Sequence, residues 1–228
     1  MKNHHPSSTE IILLTLLMSI PYGLFGMNFL RNPRTDLSYI LVCFFITFIS
    51  LFLIPILTIK SYWKQPLVKF GTSWGNKKLG LILIILSLVA IPAIYIGTAD
   101  LALQETYPIA QEWFRSFQTE PQWGLFVIYE ILYGILYYIP YEFFWRGFVQ
   151  FGLKEHWGKW KSILFVTILT TLLHATKPVS EIIGAAAVGI FFGYLADKTE
   201  SWYYVFEIHY LIGVLNDTFC GLRILGII

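Results

Sequence analysis

Apolar residues fall into seven runs separated by short polar stretches: 11–30, 38–59, 79–98, 123–153, 162–175, 180–196 and 202 to the C-terminus. Most approach the ~20 residues that a helix needs to cross a bilayer. The pattern therefore predicts an all-α fold, a polytopic transmembrane bundle of about seven helices. Pro21, Pro55 and Pro92 lie inside the first three runs, where neighbouring groups can re-satisfy the freed backbone, so they predict kinks rather than function. Residues 184–193 hold three consecutive alanines and a Gly189-x-x-x-Gly193 spacing, which lets a neighbouring helix approach closely. The polar N-terminal decapeptide carries Lys2 but no convincing cleavage site, and its apolar run continues through Asn28 to Leu30. It reads as a retained helix.

Composition agrees: 56% of residues are hydrophobic, 18% aromatic and 13% charged, against roughly 25% charged in ordinary soluble domains. No water-soluble domain remains. Cys43 and Cys220, in separate runs, read as small apolar fillers. The net charge of +2 says little, but its distribution is uneven. Residues 60–78 carry five lysines and no acid, and 154–161 carry three lysines with Glu155. Residues 100–123 instead hold Asp100, Glu105, Glu112 and Glu120 against Arg115. Basic short loops favour the cytoplasm, which places the N-terminus and both lysine-rich loops inside, with Arg31 and Arg34 as a mild counter-signal.

Polarity within the runs is equally lopsided. The first three have no ionisable residue between their ends, whereas the last four contain Glu130, Glu142, Arg146, His174, Glu181, Glu207, His209 and Asp217. The chain is expected to form a single integral membrane domain, 1–228, with scaffold helices in 1–98 and site-bearing helices in 123–228.

Charged side chains at membrane depth cost roughly 2.5–3.5 kcal/mol each, so they persist mainly where they pair or line a site. Glu142 and Arg146, four apart, share a helix face, with Pro140 placed to start or kink that helix. A self-neutralising packing pair is one reading. His174 and His209 in later helices favour another, in which Glu142 takes a proton from water and the imidazoles orient that water or stabilise an oxyanion. The same residue types could hold Zn²⁺, although no His-Glu-x-x-His motif is present, and a proton relay in a transporter uses the same groups. Simple counting puts Glu142 toward the inner end of its helix and His174 near the outer end of the next, so their depths disagree. Glu130 and Glu207 read as polar contacts between helices. Tyr137, Tyr138 and Tyr141 could line a cavity or pack, and 99–122 could supply an amphipathic lid on the bilayer surface.

The order of these residues resembles the CAAX prenyl protease and bacteriocin-processing family of intramembrane proteases, which includes the type II CAAX endopeptidases. Its first motif, Glu-Glu-x-x-x-Arg with a following Gly, is met by Tyr141-Glu142-x-x-x-Arg146-Gly147. Its second, Phe-x-x-x-His, is met at His174 but has Thr170 in place of the aromatic. The third, His-x-x-x-Asn, places His209 correctly, yet Gly213 stands at the Asn position and Asn216 lies one turn further on. The resemblance implies a membrane endopeptidase with Glu142, Arg146, His174, His209 and Asn216 as site residues. Glu142 would activate water, Arg146 would hold Glu142, His174 would assist proton transfer, and His209 with Asn216 would stabilise the oxyanion. It implies no required cofactor. The partners implied are the lipid bilayer and a membrane-associated peptide or protein substrate, with no nucleic acid.

The departure at Tyr141 matters, because the family's first glutamate is regarded as the base, and a phenol with a reference pKa near ~10 is a poor one. The role can pass to Glu142 or to another acid such as Glu181, or be lost in a catalytically inactive, partner-binding homologue. Asp217, beside Asn216, is a further acid that could join the site.

Overall fold

Apolar runs of membrane length can satisfy their backbone polar groups only internally, which in a single segment means a helix. The computed structural model, which describes residues 4–25, 37–120 and 122–228, is built on that rule. Lys2, residues 28–30, Arg31 and Arg34 lie outside the described residues. The long helices are α1 (Ser8–Phe25), α2 (Leu37–Trp63), α3 (Lys77–Gly97), α4 (123–157), α5 (159–172), α6 (Val179–Thr199) and α7 (Tyr203–Ile224). No strand occurs among the described residues. The chain is a helical membrane bundle: Leu37–Trp63, Lys77–Gly97, Trp123–Leu172 and Val179–Thr199 are each long and apolar enough to cross a bilayer.

The third of these stretches is continuous in helical hydrogen bonding except at Gly158, which divides α4 from α5 with φ 75° and ψ 176°. That backbone region is essentially reserved for glycine. A Cβ at 158 would meet no atom within 4 Å, so the demand is conformational rather than steric.

Two of the prolines inside helices are flanked by widened turns, whereas Pro21 lies in regular α-helix and Pro92 follows a 3-10 turn. Pro55 lies between π-helical stretches Ile49–Leu53 and Thr58–Trp63, and Pro140 between Gly134–Tyr138 and Phe143–Phe151. Proline removes one donor and crowds the preceding turn. An i to i+5 turn relieves both, and such bulges concentrate at functional sites.

One apolar core joins α1, α2 and α4, where Trp63, Phe144 and Phe148 stack in a fully buried column. A second core joins α2 and α4 through Phe44 stacked on Tyr133, 4.6 Å between ring centroids. Residues 99–122 enter this second core. Ile109, Phe114 and Phe117 are buried there, so the segment packs an apolar side against the bundle. Gly189 and Gly193 form the close face of α6. Cβ atoms there would come within 2.9 Å of Thr167 and 2.8 Å of Ile163 on α5, and Gln150 donates to the Gly193 carbonyl at 2.8 Å. Beside the Gly158 turn, Lys154 and Lys159 both pair with Asp197, at 2.7 and 2.8 Å. Cys43 and Cys220 are buried, unpaired thiols.

Candidate functional site

Pro140 and its flanking wide turns set the register of α4 so that Tyr137, Tyr138 and Tyr141 face a cavity of about 320 Å³. The opposite walls come from α7, through His209 and Asn216, and from the turn between α5 and α6, through His174 and Lys177. Glu181, in the first turn of α6, and Tyr107, from the inward-packed segment, complete the polar part. Three of the five expected site residues thus share one cavity: His174, His209 and Asn216.

Glu142 and Arg146 stand behind that wall. The Glu142 side chain is fully buried, and its Oε1 accepts a 2.5 Å hydrogen bond from His209 Nδ1. Arg146 Nε lies 3.4 Å from Oε2, an ion pair without hydrogen-bond geometry. A carboxylate only accepts, so the shared proton sits on Nδ1, and Nε2 is the His209 nitrogen that Glu142 leaves free. Tyr138, Tyr141 and Phe192 hold the imidazole in place, with centroids 5.0, 5.7 and 5.3 Å away.

His174 is fixed differently. It sits beyond the last residue of α5, and its Nδ1 bonds the Thr170 carbonyl at 2.7 Å. A carbonyl also only accepts, so Nδ1 carries the proton and Nε2 presents a lone pair. Burial lowers the His174 pKa, with the Lys177 charge acting in the same direction, against the opposing bond to Thr170 and the charge of Glu181. The balance favours the neutral ring. His174 Nε2 lies 3.9 Å from Glu181 Oε1. That oxygen accepts a 2.7 Å bond from the Tyr107 hydroxyl, whose pKa burial and then Glu181 itself push well above the usual phenol range.

The expected conflict in depth disappears. Tyr141, the neighbour of Glu142, and His174 line the same cavity, one before and one after the Gly158 turn in the chain. Counting from Trp123 misled because α4 runs well past the apolar stretch before it turns.

Tyr141, which the motif resemblance sets at the place of the first acid, lines the cavity. It is buried against the cavity, parallel to Tyr137 at 5.8 Å, while Tyr137 bonds Tyr22 through their hydroxyls at 2.7 Å. Gly213 lies against the Tyr138 ring. A Cβ there would be 1.9 Å from the Tyr138 hydroxyl, so the tyrosine takes the space an Asn would need, and the amide on the wall is Asn216. Asp217 turns away from the cavity toward Glu130 and Tyr129. Glu207 is exposed on α7, so it makes no buried contact between helices. Among the lining residues that the sequence did not single out are Tyr22, Tyr107 and Lys177. The only trace was Lys177 itself, a cation four residues before Glu181. Among the described residues no three His, Cys, Asp or Glu side chains converge as a metal site would require.

Residues 121–215 match a family model described as type II CAAX prenyl endopeptidase Rce1-like. The match spans the first two motifs and His209 and stops one residue before Asn216. No curated protein and no solved structure matches the chain.

Proposed function

We propose that the chain is an intramembrane peptidase hydrolysing a peptide bond in or near the bilayer, a reading supported by the match of residues 121–215 to the type II CAAX prenyl endopeptidase Rce1-like family model. The tyrosine-walled cavity is its reaction chamber. The observation that carries this reading is the Glu142–His209 bond, which sets a carboxylate-backed imidazole on the same wall as His174 and Asn216.

Each group then has a role its surroundings support. Glu142 works through His209: with Nδ1–H tied to the carboxylate, a second proton on Nε2 can be donated to the carbonyl oxygen as negative charge develops there. The Asn216 amide is the second donor, and such donors are most effective in a site screened from bulk water. Arg146 supplies the countercharge behind Glu142. The lone pair on His174 Nε2 accepts a hydrogen bond from the attacking water, orienting it and assisting its deprotonation. The substrate is a membrane-associated peptide or protein that reaches the chamber from the bilayer or its surface. The N-terminus and both lysine-rich segments belong on the cytoplasmic side by the bias of short basic loops.

Purified protein in phosphatidylcholine liposomes, mixed with a solubilised membrane-protein extract, should generate new peptide N-termini detectable by mass spectrometry. Glu142→Gln and His174→Ala should each lower that rate by about 10²–10⁴-fold. Equal rates in wild type and both variants would sink the proposal.

Tyr141 supports a second reading, a membrane scaffold or partner-binding protein that keeps the fold without the chemistry. On that reading Tyr141→Glu creates proteolysis that the wild type lacks.

A further inference from the structure

Peptide hydrolysis needs a group to accept the proton of water, and the two obvious positions do not offer one. Tyr141 presents a phenol, and the Glu142 carboxylate is absent from the cavity wall, occupied by His209 and Arg146. Among the described residues the carboxylate that does line the cavity is Glu181. It comes from a different helix, and its charge is cradled by Tyr107 at 2.7 Å and by Lys177, 4.0 Å from Oε1 and 3.2 Å from the Tyr107 hydroxyl. Its other oxygen, Oε2, is buried and has no hydrogen-bond partner. A buried carboxylate oxygen in that state calls for a donor.

The first oxygen, Oε1, faces His174, and their separation marks a second place for a donor, between the two side chains. The 3.9 Å between Glu181 Oε1 and His174 Nε2 is too long for a hydrogen bond, and with Nδ1 committed to Thr170 both facing atoms are acceptors. Two acceptors at that separation repel unless a molecule with two donors bridges them. Water has two, and a contact beyond 3.5 Å is the distance range in which such a bridge belongs. Water placed so points one hydrogen at Nε2 and one at Glu181, and turns its lone pairs toward the chamber.

We infer that Glu181 is the catalytic base of this peptidase, a carboxylate recruited from the start of α6 to the role Tyr141 cannot fill. The inference rests on the peptidase reading. In the first step a water proton passes to Glu181 while the water oxygen bonds the carbonyl carbon, giving a tetrahedral intermediate whose oxyanion is held by His209 and Asn216. In the second the carbon–nitrogen bond breaks, and Glu181 returns the proton to the leaving nitrogen, so the products are one carboxylic acid and one amine. His174 positions the water and is unchanged at the end. Lys177 and Tyr107 fix the carboxylate and moderate its charge.

The test uses full-length protein in phosphatidylcholine liposomes with the membrane-protein extract described above, followed by kinetics on a synthetic peptide spanning the strongest cleavage. Glu181→Gln should lower kcat about 10²–10⁴-fold, the usual span for general acid–base catalysis, with KM within about threefold of wild type. Glu181→Asp should keep part of the rate, and sodium formate should restore activity to Glu181→Ala, which a purely structural carboxylate would not permit. Matching thermal midpoints for the variants separate chemistry from folding. Glu181→Gln within about threefold of wild-type kcat, with Glu142→Gln and His174→Ala inactive, overturns the inference and leaves the peptidase reading standing. No new termini from wild-type protein overturns the peptidase reading and this assignment with it.

Discussion

Tyr138 and Gly213 show how one side chain fills the space beside a glycine on a neighbouring helix. An Asn at 213 would place its Cβ 1.9 Å from the Tyr138 hydroxyl, and filling space already taken in a packed core typically costs about 1–3 kcal/mol. Gly213→Asn should therefore lower the thermal midpoint of the detergent-solubilised protein, and adding Tyr138→Ala should recover part of the loss; an unchanged midpoint in the single variant would contradict this packing. Glu142 and His209 were legible in the sequence as candidates because an ionisable residue in an apolar run is conspicuous. Their 2.5 Å bond was not legible, since the partners are 67 residues apart and pairing depends on how α4 and α7 pack. Tyr107 was the least legible member. Nothing distinguishes a tyrosine in a polar connecting segment until the fold draws that segment into the cavity.

At the scale of elements, long apolar runs revealed the helices because in lipid no other single-segment structure satisfies the backbone. Their ends were harder to read. The 154–161 segment is polar enough to suggest a loop, yet helix continues to Gly158 and resumes at once, and this shift removes the apparent depth mismatch between Glu142 and His174. Gly158 should be intolerant of side chains for conformational reasons: Gly158→Ala forces an alanine to φ 75° and should cost about 1–3 kcal/mol, read as a lower thermal midpoint despite the open space around the residue. Gly193 is the contrasting case, with Ile163 2.8 Å from an added Cβ. Gly193→Leu should separate α5 from α6 and lower both stability and any activity that depends on Glu181 staying opposite His174. If Gly193→Leu proved as stable as wild type, the close α5–α6 contact would be wrong. The sequence allows Pro140 to start or kink its helix. Its actual consequence, wide turns on both sides that aim three tyrosines and hide Glu142, depends on hydrogen-bond rearrangements that residue identity alone does not encode.

Over the whole molecule, the division between an apolar first part and a polar second part was visible in the placement of ionisable residues. The cavity nevertheless crosses that division, because Tyr22 of α1 and Tyr107 line it beside α4, α6 and α7. The charge bias gives an outcome for orientation: single cysteines at Lys69 and Lys161 should be labelled by impermeant maleimide only from the cytoplasmic side, and one at Glu112 only from the other. The central claim is that this cavity is the site of peptide hydrolysis, and the most direct measurement is the rate at which liposome-reconstituted protein creates new N-termini in a membrane-protein extract, compared between wild type and His174→Ala. A wild-type rate at least a hundredfold above the variant, both folded by thermal midpoint, is the expected result. Indistinguishable rates would contradict the account.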